Sequence, residues 1–164
     1  MSPVLEGDLD GHGLALAVVV SRFNQALTEK LLAGAQEALA KCDVDADSVD
    51  VVWVPGSFEL PLAAKRLAES GRYHAIVCLG CVLRGETPHF DYVAGQAAAG
   101  IERVGLDTGV PVAFGVITAD TLPQAVERAG GSSGNKGFDG VLTAIRMANL
   151  MKKIDLGGEK EQGE

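Results

Sequence analysis

The chain has 164 residues, which fits one domain without need of a second. Its 22 acidic residues outnumber its 14 lysines and arginines, and the net charge of −8 argues against nucleic acid or anionic lipid as the main partner. The start lacks the basic flank of a signal peptide and no apolar run reaches the ~18 residues of a membrane span, so we expect a cytoplasmic protein without membrane contacts.

The first half of the chain alternates between strand patterns and helix patterns. A nearly continuous apolar run over residues 14–20 predicts a strand covered on both faces, and leucines and alanines at helical spacing over residues 27–39 predict the first helix. Residues 49–54 are typical of a second strand. A capping turn at residues 55–57 then leads into a second predicted helix over residues 58–70.

The second half continues the alternation. Residues 75–83 predict a third strand, and its helix is expected from residue 90 to about residue 106. A fourth strand is predicted over residues 110–117, where Pro111 near the start suits an edge position.

Two further helices close the chain. They are predicted over residues 122–129 and 138–154, and a glycine-rich link over residues 130–137 joins them. The polar tail over residues 155–164 is expected to be frayed.

Four strand-then-helix units predict a parallel sheet with right-handed crossovers and helices on both faces. We therefore expect one α/β domain over residues 1–164, with an N-terminal arm over residues 1–12. Its architecture is predicted to be a three-layer α/β/α sandwich around a doubly wound four-stranded parallel sheet, of the flavodoxin-like type. Residues that directly follow strands then meet at one sheet edge, namely Phe23, residues 56–59 and residues 84–89.

Residues 84–90, Arg-Gly-Glu-Thr-Pro-His-Phe, follow the third strand and open its helix. A glycine with an accessible backbone at a helix N-terminus predicts an anion site, and an imidazole such as His89 is suited to moving protons there. A structural interpretation is that Thr87 caps the helix, Pro88 takes its first position and His89 is an ordinary surface residue. The two interpretations are compatible.

Cys78 and Cys81 have the two-residue spacing of a redox or metal site. They lie inside a strand pattern, whereas redox pairs open a helix, and no second pair or histidine cluster completes a zinc site. We interpret these cysteines, with Cys42, as core residues. The glycines at residues 11–13 precede a strand and those at residues 134–137 follow a helix, so neither matches a nucleotide-binding loop.

Four motifs occur in order between about residues 13 and 152: Arg22–Asn24, Pro55–Glu59, Arg84–Asp91 and Gly134–Gly137. Together they resemble the lumazine synthase family of riboflavin biosynthesis. That family condenses 5-amino-6-(D-ribitylamino)uracil with 3,4-dihydroxy-2-butanone 4-phosphate to 6,7-dimethyl-8-ribityllumazine, with loss of phosphate and water, in the penultimate step of the pathway. The resemblance implies no metal and no organic cofactor.

The resemblance also implies roles for the matching residues. His89 would shuttle protons in catalysis. The ring and ribityl chain of the uracil would be held by Phe23, Ser57, Phe58, Glu59, Cys81, Val82 and Leu83. The phosphate would be bound by Glu86 and Thr87, while a neighbouring subunit would supply Phe114 to the ring and Arg128 to the phosphate. Lys136 matches a family lysine near the same site.

Position alone offers other interpretations of four of these residues. Phe23 could form a hydrophobic staple before the first helix, and Glu59 could be an acid favoured in a first helical turn. Arg128 could be a cation near a helix C-terminus, and Lys136 an exposed loop lysine.

The family resemblance implies a homopentamer, which in some members closes into a 60-subunit icosahedral shell. The short link over residues 130–137 favours the shell, whereas Pro3 can redirect the N-terminal arm. Residues 4–7 have no obvious partner within the four units and could add a strand to the sheet of the adjacent subunit. Two other functions stay open: a pentameric riboflavin synthase that consumes lumazine, and a non-catalytic flavin-binding or shell-forming protein.

Overall fold

Runs of β-branched and apolar residues form a single parallel sheet in the computed structural model, which describes residues 2–162. Its strands are β1 (Leu16–Ser21), β2 (Val49–Val54), β3 (Ala75–Leu83) and β4 (Val112–Ala119). They lie in the order β2-β1-β3-β4, and every neighbouring pair is parallel. The central strands β1 and β3 are buried along almost their whole length, because helices cover both faces of the sheet.

Within residues 2–162, five α-helices surround this sheet: α1 (Gln25–Lys41), α2 (Leu60–Glu69), α3 (His89–Thr108), α4 (Leu122–Arg128) and α5 (Lys136–Gln162). Helices α1 and α5 pack on one face, where Leu31 and Ile145 are fully buried. Helices α2 and α3 pack on the other face, where Leu60 and Ile101 belong to the second half of the core. The predicted three-layer α/β/α sandwich with a doubly wound four-stranded parallel sheet is confirmed.

The strand boundaries agree closely with the sequence prediction. Strands β2 and β3 span the predicted residues, and β1 begins at Leu16 instead of residue 14. Strand β4 begins just after Pro111, because a proline has no N–H to donate to a strand ladder. The Pro111 carbonyl instead accepts a hydrogen bond of 2.9 Å from the backbone N–H of Ile76. As predicted, the strand that follows Pro111 lies at an edge of the sheet.

The structure corrects the predicted link and tail. The segment over residues 130–137 is not a plain link, because it contains an antiparallel hairpin of β5 (Ala129–Gly131) and β6 (Gly134–Asn135), and α5 begins at Lys136. The tail predicted to fray after residue 155 is helical to Gln162, in spite of Gly157 and Gly158. Residues 163–164 and Met1, at the ends of the predicted tail and arm, lie outside the described residues.

The N-terminal arm lies on helix α5 of its own chain. The Asn149 side-chain amide donates to the backbone carbonyls of Asp8 and Asp10, at 3.0 and 2.9 Å. A side chain at Gly7 would collide with the carbonyl of Arg146, so only glycine permits this close approach. The Lys153 side chain also donates to the Glu6 carbonyl at 2.5 Å. The expectation that residues 4–7 have no obvious partner within the chain is therefore wrong for Glu6 and Gly7.

Within residues 2–162, no helix has both the length and the apolar character that crossing a membrane requires.

Candidate functional site

A cleft of about 520 Å³ opens at the carboxyl edge of the sheet, where β1, β2 and β3 end and α3 begins. Many of the residues that the sequence singled out line it: Phe23, Ser57, Phe58, Glu59, Cys81, Val82, Leu83 and His89. The cleft is completed by Pro55, Gly56, Phe90, Tyr92 and Val93, to which the sequence reasoning gave no contact with substrate. One chain thus brings together the aromatic, hydroxyl, carboxylate and imidazole groups predicted to hold the uracil and move protons.

Phe23 reaches the cleft because residues 22–23, which follow the end of β1, stay hydrogen-bonded to the end of β2 and to Pro55. The backbone N–H groups of Arg22 and Phe23 donate to the carbonyls of Val54 and Pro55, at 2.8 and 3.0 Å. The Phe23 side chain is 69% exposed, which does not fit a hydrophobic staple packed against the first helix. Its ring is instead open to a ligand in the cleft.

Asn24 joins the ends of β1 and β3. Its backbone has a positive φ of 60°, a left-handed conformation that asparagine tolerates better than most residues. Its side-chain amide donates to the carbonyl of Cys81 at 2.9 Å. Asn24 therefore fixes the distance between Phe23 and the β3 wall of the cleft.

Ser57 is buried beneath the cleft because Gly80 in β3 leaves room for it. A Cβ atom at Gly80 would lie 2.5 Å from the Ser57 hydroxyl oxygen, which is closer than such atoms can approach. The residues Ser57–Glu59 form a 3₁₀ turn, and α2 begins only at Leu60, so the predicted helix start at residue 58 is wrong. Phe58 and Glu59 are exposed at the cleft. The sequence analysis gave Gly80 no role, although a glycine inside a strand pattern often marks a place where another group approaches the backbone closely.

The thiols do not supply a nucleophile here. Burial raises the pKa of Cys81 to about 11 and that of Cys78 to about 12. Both thiols therefore stay protonated near neutral pH, whereas reactive cysteines have lowered pKa values. Cys42, Cys78 and Cys81 are buried and form no disulfide, which confirms their interpretation as core residues. In the part of the chain that the structure describes, no group of three or more His, Cys, Asp or Glu could hold a metal ion.

His89 is the first residue of α3 and is exposed at the mouth of the cleft. The capping pattern is shifted by one residue from the prediction, since Pro88 occupies the N-cap and Thr87 precedes it. The Thr87 hydroxyl accepts a hydrogen bond of 3.5 Å from the His89 backbone N–H, which is long for such a bond. Tyr92 lies at the i+3 position from His89, a spacing that could have revealed its place in the cleft.

The loop between β3 and α3 lies beside the cleft. Glu86 and Thr87 are exposed there but do not line the cleft in the single chain. Gly85 has open space around it, because nothing lies within 4 Å of where a Cβ would be. The loop is therefore accessible to a ligand anion at the N-terminus of α3.

None of the described residues that line the cleft is a lysine or an arginine. Arg128 lies at the end of α4, where its guanidinium donates to the carbonyl of Gln124 at 2.9 Å, and Lys136 is exposed at the start of α5. Phe114 in edge strand β4 is 45% exposed and also lies outside the cleft. One chain does not bring these three predicted residues into the site.

Asn135 anchors the segment that carries Arg128 and Lys136, and the sequence reasoning gave it no role of its own. Its side-chain oxygen accepts from the backbone N–H groups of Gly137 and Phe138, at 2.8 and 3.1 Å, which caps the start of α5. Its amide nitrogen donates to the carbonyl of Lys30 in α1 at 3.0 Å. The hairpin and the start of α5 are thereby tied to α1.

One comparison with known proteins bears on this arrangement. A family model described as 6,7-dimethyl-8-ribityllumazine synthase matches residues 13–152, a range that includes the cleft, the β3–α3 loop and the segment anchored by Asn135.

Proposed function

We propose that this chain, which belongs to the 6,7-dimethyl-8-ribityllumazine synthase family, condenses 5-amino-6-(D-ribitylamino)uracil with 3,4-dihydroxy-2-butanone 4-phosphate. Family membership makes the chain an enzyme, a transferase of riboflavin biosynthesis that acts on small molecules. The observation that carries the specific reaction is the cleft, in which Phe23, Ser57 and His89 come together. Its three free thiols suit a reducing compartment such as the cytoplasm, where we expect it to act.

The uracil ring is expected to stack on Phe23 and to bind the backbone at the end of β3. The ladder between β1 and β3 ends at Leu79, whereas the ladder between β3 and β4 continues to Leu83. The Cys81 carbonyl points to the β1 side, where Asn24 binds it. Backbone groups alternate between the two sides of a strand, so the N–H and C=O of Leu83, two residues after Cys81, also face the β1 side. There β1 has already ended, and both groups are suited to the donor and acceptor edge of a pyrimidine.

The ribityl chain needs groups that accept from several hydroxyls. The carboxylate of Glu59 can accept two such hydrogen bonds, and Ser57 can both donate and accept. Both line the cleft within one turn of chain, next to the exposed ring of Phe58. We therefore assign polyol recognition to the segment Ser57–Glu59.

The butanone phosphate is expected to bind at the loop residues Glu86 and Thr87 and the N-terminus of α3. A helix N-terminus favours an anion. No cation lines the described cleft, and the net charge of the chain is −8, so the phosphate needs a cation from elsewhere. We propose that a neighbouring subunit contributes Arg128, together with Phe114 against the pyrimidine, and that Lys136 lies near the same phosphate.

The reaction would begin when the uracil amine attacks the ketone and water leaves, which forms a Schiff base. Elimination of phosphate, ring closure and a final dehydration then give the lumazine. His89 would shuttle protons in these steps, a role that typically contributes ~10²–10⁴-fold. Holding two reactants in the correct orientation can contribute about 7–11 kcal/mol, so the cleft should matter at least as much as the imidazole.

We propose a homopentamer in which each site lies between two subunits, and closure of such pentamers into a 60-subunit icosahedral shell. Strand β2 is an edge of the sheet, and a groove of about 330 Å³ lies beside it. Val4 and Leu5 are exposed apolar residues at the start of the arm, which suits addition to a neighbouring sheet edge. Light scattering would distinguish the shell from a lone pentamer of about 85 kDa, five times the 17.0 kDa chain.

The direct test is incubation of the purified protein with both substrates, followed by chromatography for lumazine and by a phosphate assay. We expect equal amounts of lumazine and phosphate, and neither product when one substrate is left out. A parallel incubation with lumazine alone tests the alternative of a riboflavin synthase. Riboflavin in that incubation, or tight flavin binding without any condensation, would overturn the proposal.

A further inference from the structure

Arg84 is the first residue after β3 and begins the loop that leads to His89. Its guanidinium Nε donates to the carboxylate of Asp120 at 2.7 Å, and a terminal nitrogen lies 3.4 Å from the carboxylate of Asp91. The same guanidinium lies 4.5 Å from the centre of the Phe90 ring, a cation–π distance. Arg84 thus contacts side chains from two other segments of the chain.

These contacts make Arg84 a poor ligand for the substrate phosphate. The hydrogen bond to Asp120 and the charges of both carboxylates raise the pKa of Arg84, so its positive charge is retained. The carboxylates of Asp91 and Asp120 together carry one more unit of charge than the Arg84 guanidinium. The net charge of the three groups is therefore negative, and it repels a phosphate dianion. The Arg84 side chain is already engaged by Asp120 and Asp91.

The partners of Arg84 show what it holds in place. Phe90 and Asp91 directly follow His89 in the first turn of α3. Asp120 directly precedes Thr121, the N-cap of α4, and α4 ends at Arg128. The Arg84 backbone N–H also donates to the carbonyl of Ala119 at 2.9 Å. Arg84 therefore links the helix turn that carries His89 to the end of β4.

We propose that Arg84 is a positioning residue, which orients His89 and the Gly85–Thr87 loop without contacting substrate. The inference rests on the proposed function. No atom of the described residues lies within 4 Å of a Cβ built at Gly85, so the loop gains little support there and depends on its ends for a fixed conformation. The three charged side chains are between 48% and 65% exposed, so the ion pairs contribute little to overall stability. Their contribution is to the geometry of the site.

Two substitutions separate positioning from phosphate binding. If Arg84 positions His89, Arg84→Ala should lower kcat about tenfold and change the KM for the butanone phosphate less than about threefold. Asp120→Ala should reproduce the loss of kcat, and the double variant should lose no more than either single variant. If Arg84 binds the phosphate, Arg84→Ala raises that KM, whereas Asp120→Ala, which releases the guanidinium, does not.

Arg103→Ala is the matched control. Arg103 pairs with Asp107 at 3.1 Å in the same helix α3, and neither residue lines the cleft. The Arg103 side chain is 81% exposed, against 48% for Arg84. We expect Arg103→Ala to leave kcat and both KM values unchanged. Thermal unfolding should differ little among all these variants, because exposed ion pairs are weak.

Hydrogen exchange provides a readout that does not depend on turnover. In the assembled protein without substrates, Arg84→Ala and Asp120→Ala should speed amide exchange over residues 85–92 severalfold, while Arg103→Ala should not. Unchanged exchange together with unchanged kcat would overturn the positioning role, as would a KM effect confined to Arg84→Ala. A wild-type protein that forms no lumazine would instead contradict the proposed function, and the exchange rates alone would then decide the role of Arg84.

Discussion

The cleft and the segment over residues 122–137, which we call the α4–α5 corner, contribute to the proposed site in different ways. The cleft collects Phe23, Ser57 and His89 from the ends of three strands of one chain. The corner holds Arg128 at the end of α4 and Lys136 at the start of α5, away from that cleft, and Asn135 between them ties the segment to α1. Under the proposed function, one chain would therefore form the uracil side of the site, and the cation for the phosphate would come from a neighbouring subunit.

The largest expected effect tests how the corner is held. Gly137→Ala should lower the free energy of unfolding by about 3 kcal/mol, because a Cβ would be forced against backbone. Such a Cβ would lie 1.9 Å from the carbonyl oxygen of Leu31 in α1. Urea unfolding followed by circular dichroism measures the change. Gly95→Ala in α3 is the matched control, since nothing lies within 4 Å of a Cβ there and it should not destabilise the protein.

The next effect tests the division of the site between subunits. Arg128→Ala should weaken binding of the butanone phosphate by about 1.5–3 kcal/mol and leave binding of the ribityl pyrimidine nearly intact. Arg128→Lys should recover only part of the affinity, because lysine lacks the bidentate fork. Calorimetry with each ligand separately makes the comparison. Equal weakening of both ligands would mean that the corner does not serve the phosphate alone.

Mixed assemblies sharpen that test. Suppose that His89 and Arg128 of one site come from different subunits. When equal amounts of His89→Ala and Arg128→Ala chains are refolded together, a site is intact if each of its two chains supplies the residue that it retains. Random mixing should therefore restore about a quarter of the sites. Activity should then exceed the sum of the two variants assembled separately. A mixture no more active than that sum would place both residues in the same subunit's site.

His89→Ala tests the imidazole at the mouth of the cleft. Turnover should fall about ten- to a hundredfold, or about 1.4–2.7 kcal/mol, because orientation of the substrates survives the change. The affinity for both substrates should change little. Steady-state rates between pH 6 and 8 measure the effect, and equal rates in variant and wild type across that range would remove His89 from the mechanism.

A smaller effect tests the fit between Gly80 and Ser57 within the cleft. Gly80→Ala should destabilise the protein by about 1–2 kcal/mol and weaken uracil binding, because the new Cβ displaces the Ser57 hydroxyl. Ser57→Gly added to Gly80→Ala removes the colliding atoms and should restore stability but not affinity. Continued instability of the double variant would show that the collision is not the cause.

The smallest expected effect concerns His74, at the opposite end of the sheet from both regions. Its ring nitrogen accepts a hydrogen bond of 2.9 Å from the backbone N–H of Ala15. Burial, and then the charge of Lys152, lower the pKa of His74 below its usual 6.5. As pH falls, His74 therefore binds a proton in the unfolded chain before it does so in the folded chain. The contribution of neutral His74 to the free energy of unfolding is fully present above about pH 6.5 and is lost progressively below it. Unfolding curves of wild type and His74→Gln between pH 7.5 and 5 should converge at the acid end.

Much of the fold could be predicted because it depends on local pattern. The β-branched and apolar runs that form β2 and β3 have the predicted boundaries, since such runs admit few alternatives in an alternating α/β chain. The hairpin β5–β6 was missed because three residues and two residues are too short for any periodic signal. The helical continuation to Gln162 was missed because a polar pattern distinguishes poorly between a helix end and a solvated helix.

The sequence by itself determined the order of the elements, the parallel sheet and the edge at which Phe23, Ser57 and His89 meet, because strand and helix periodicities and the right-handed crossover leave few topologies. Only the tertiary structure decided that Gly80 makes room for Ser57, that Asn24 binds the Cys81 carbonyl, and that Arg84 is engaged by Asp120. These contacts join residues far apart in the chain, and their geometry depends on distances between elements that no local pattern encodes. For the same reason, the roles of Phe114, Arg128 and Lys136 stay predictions that depend on a second subunit.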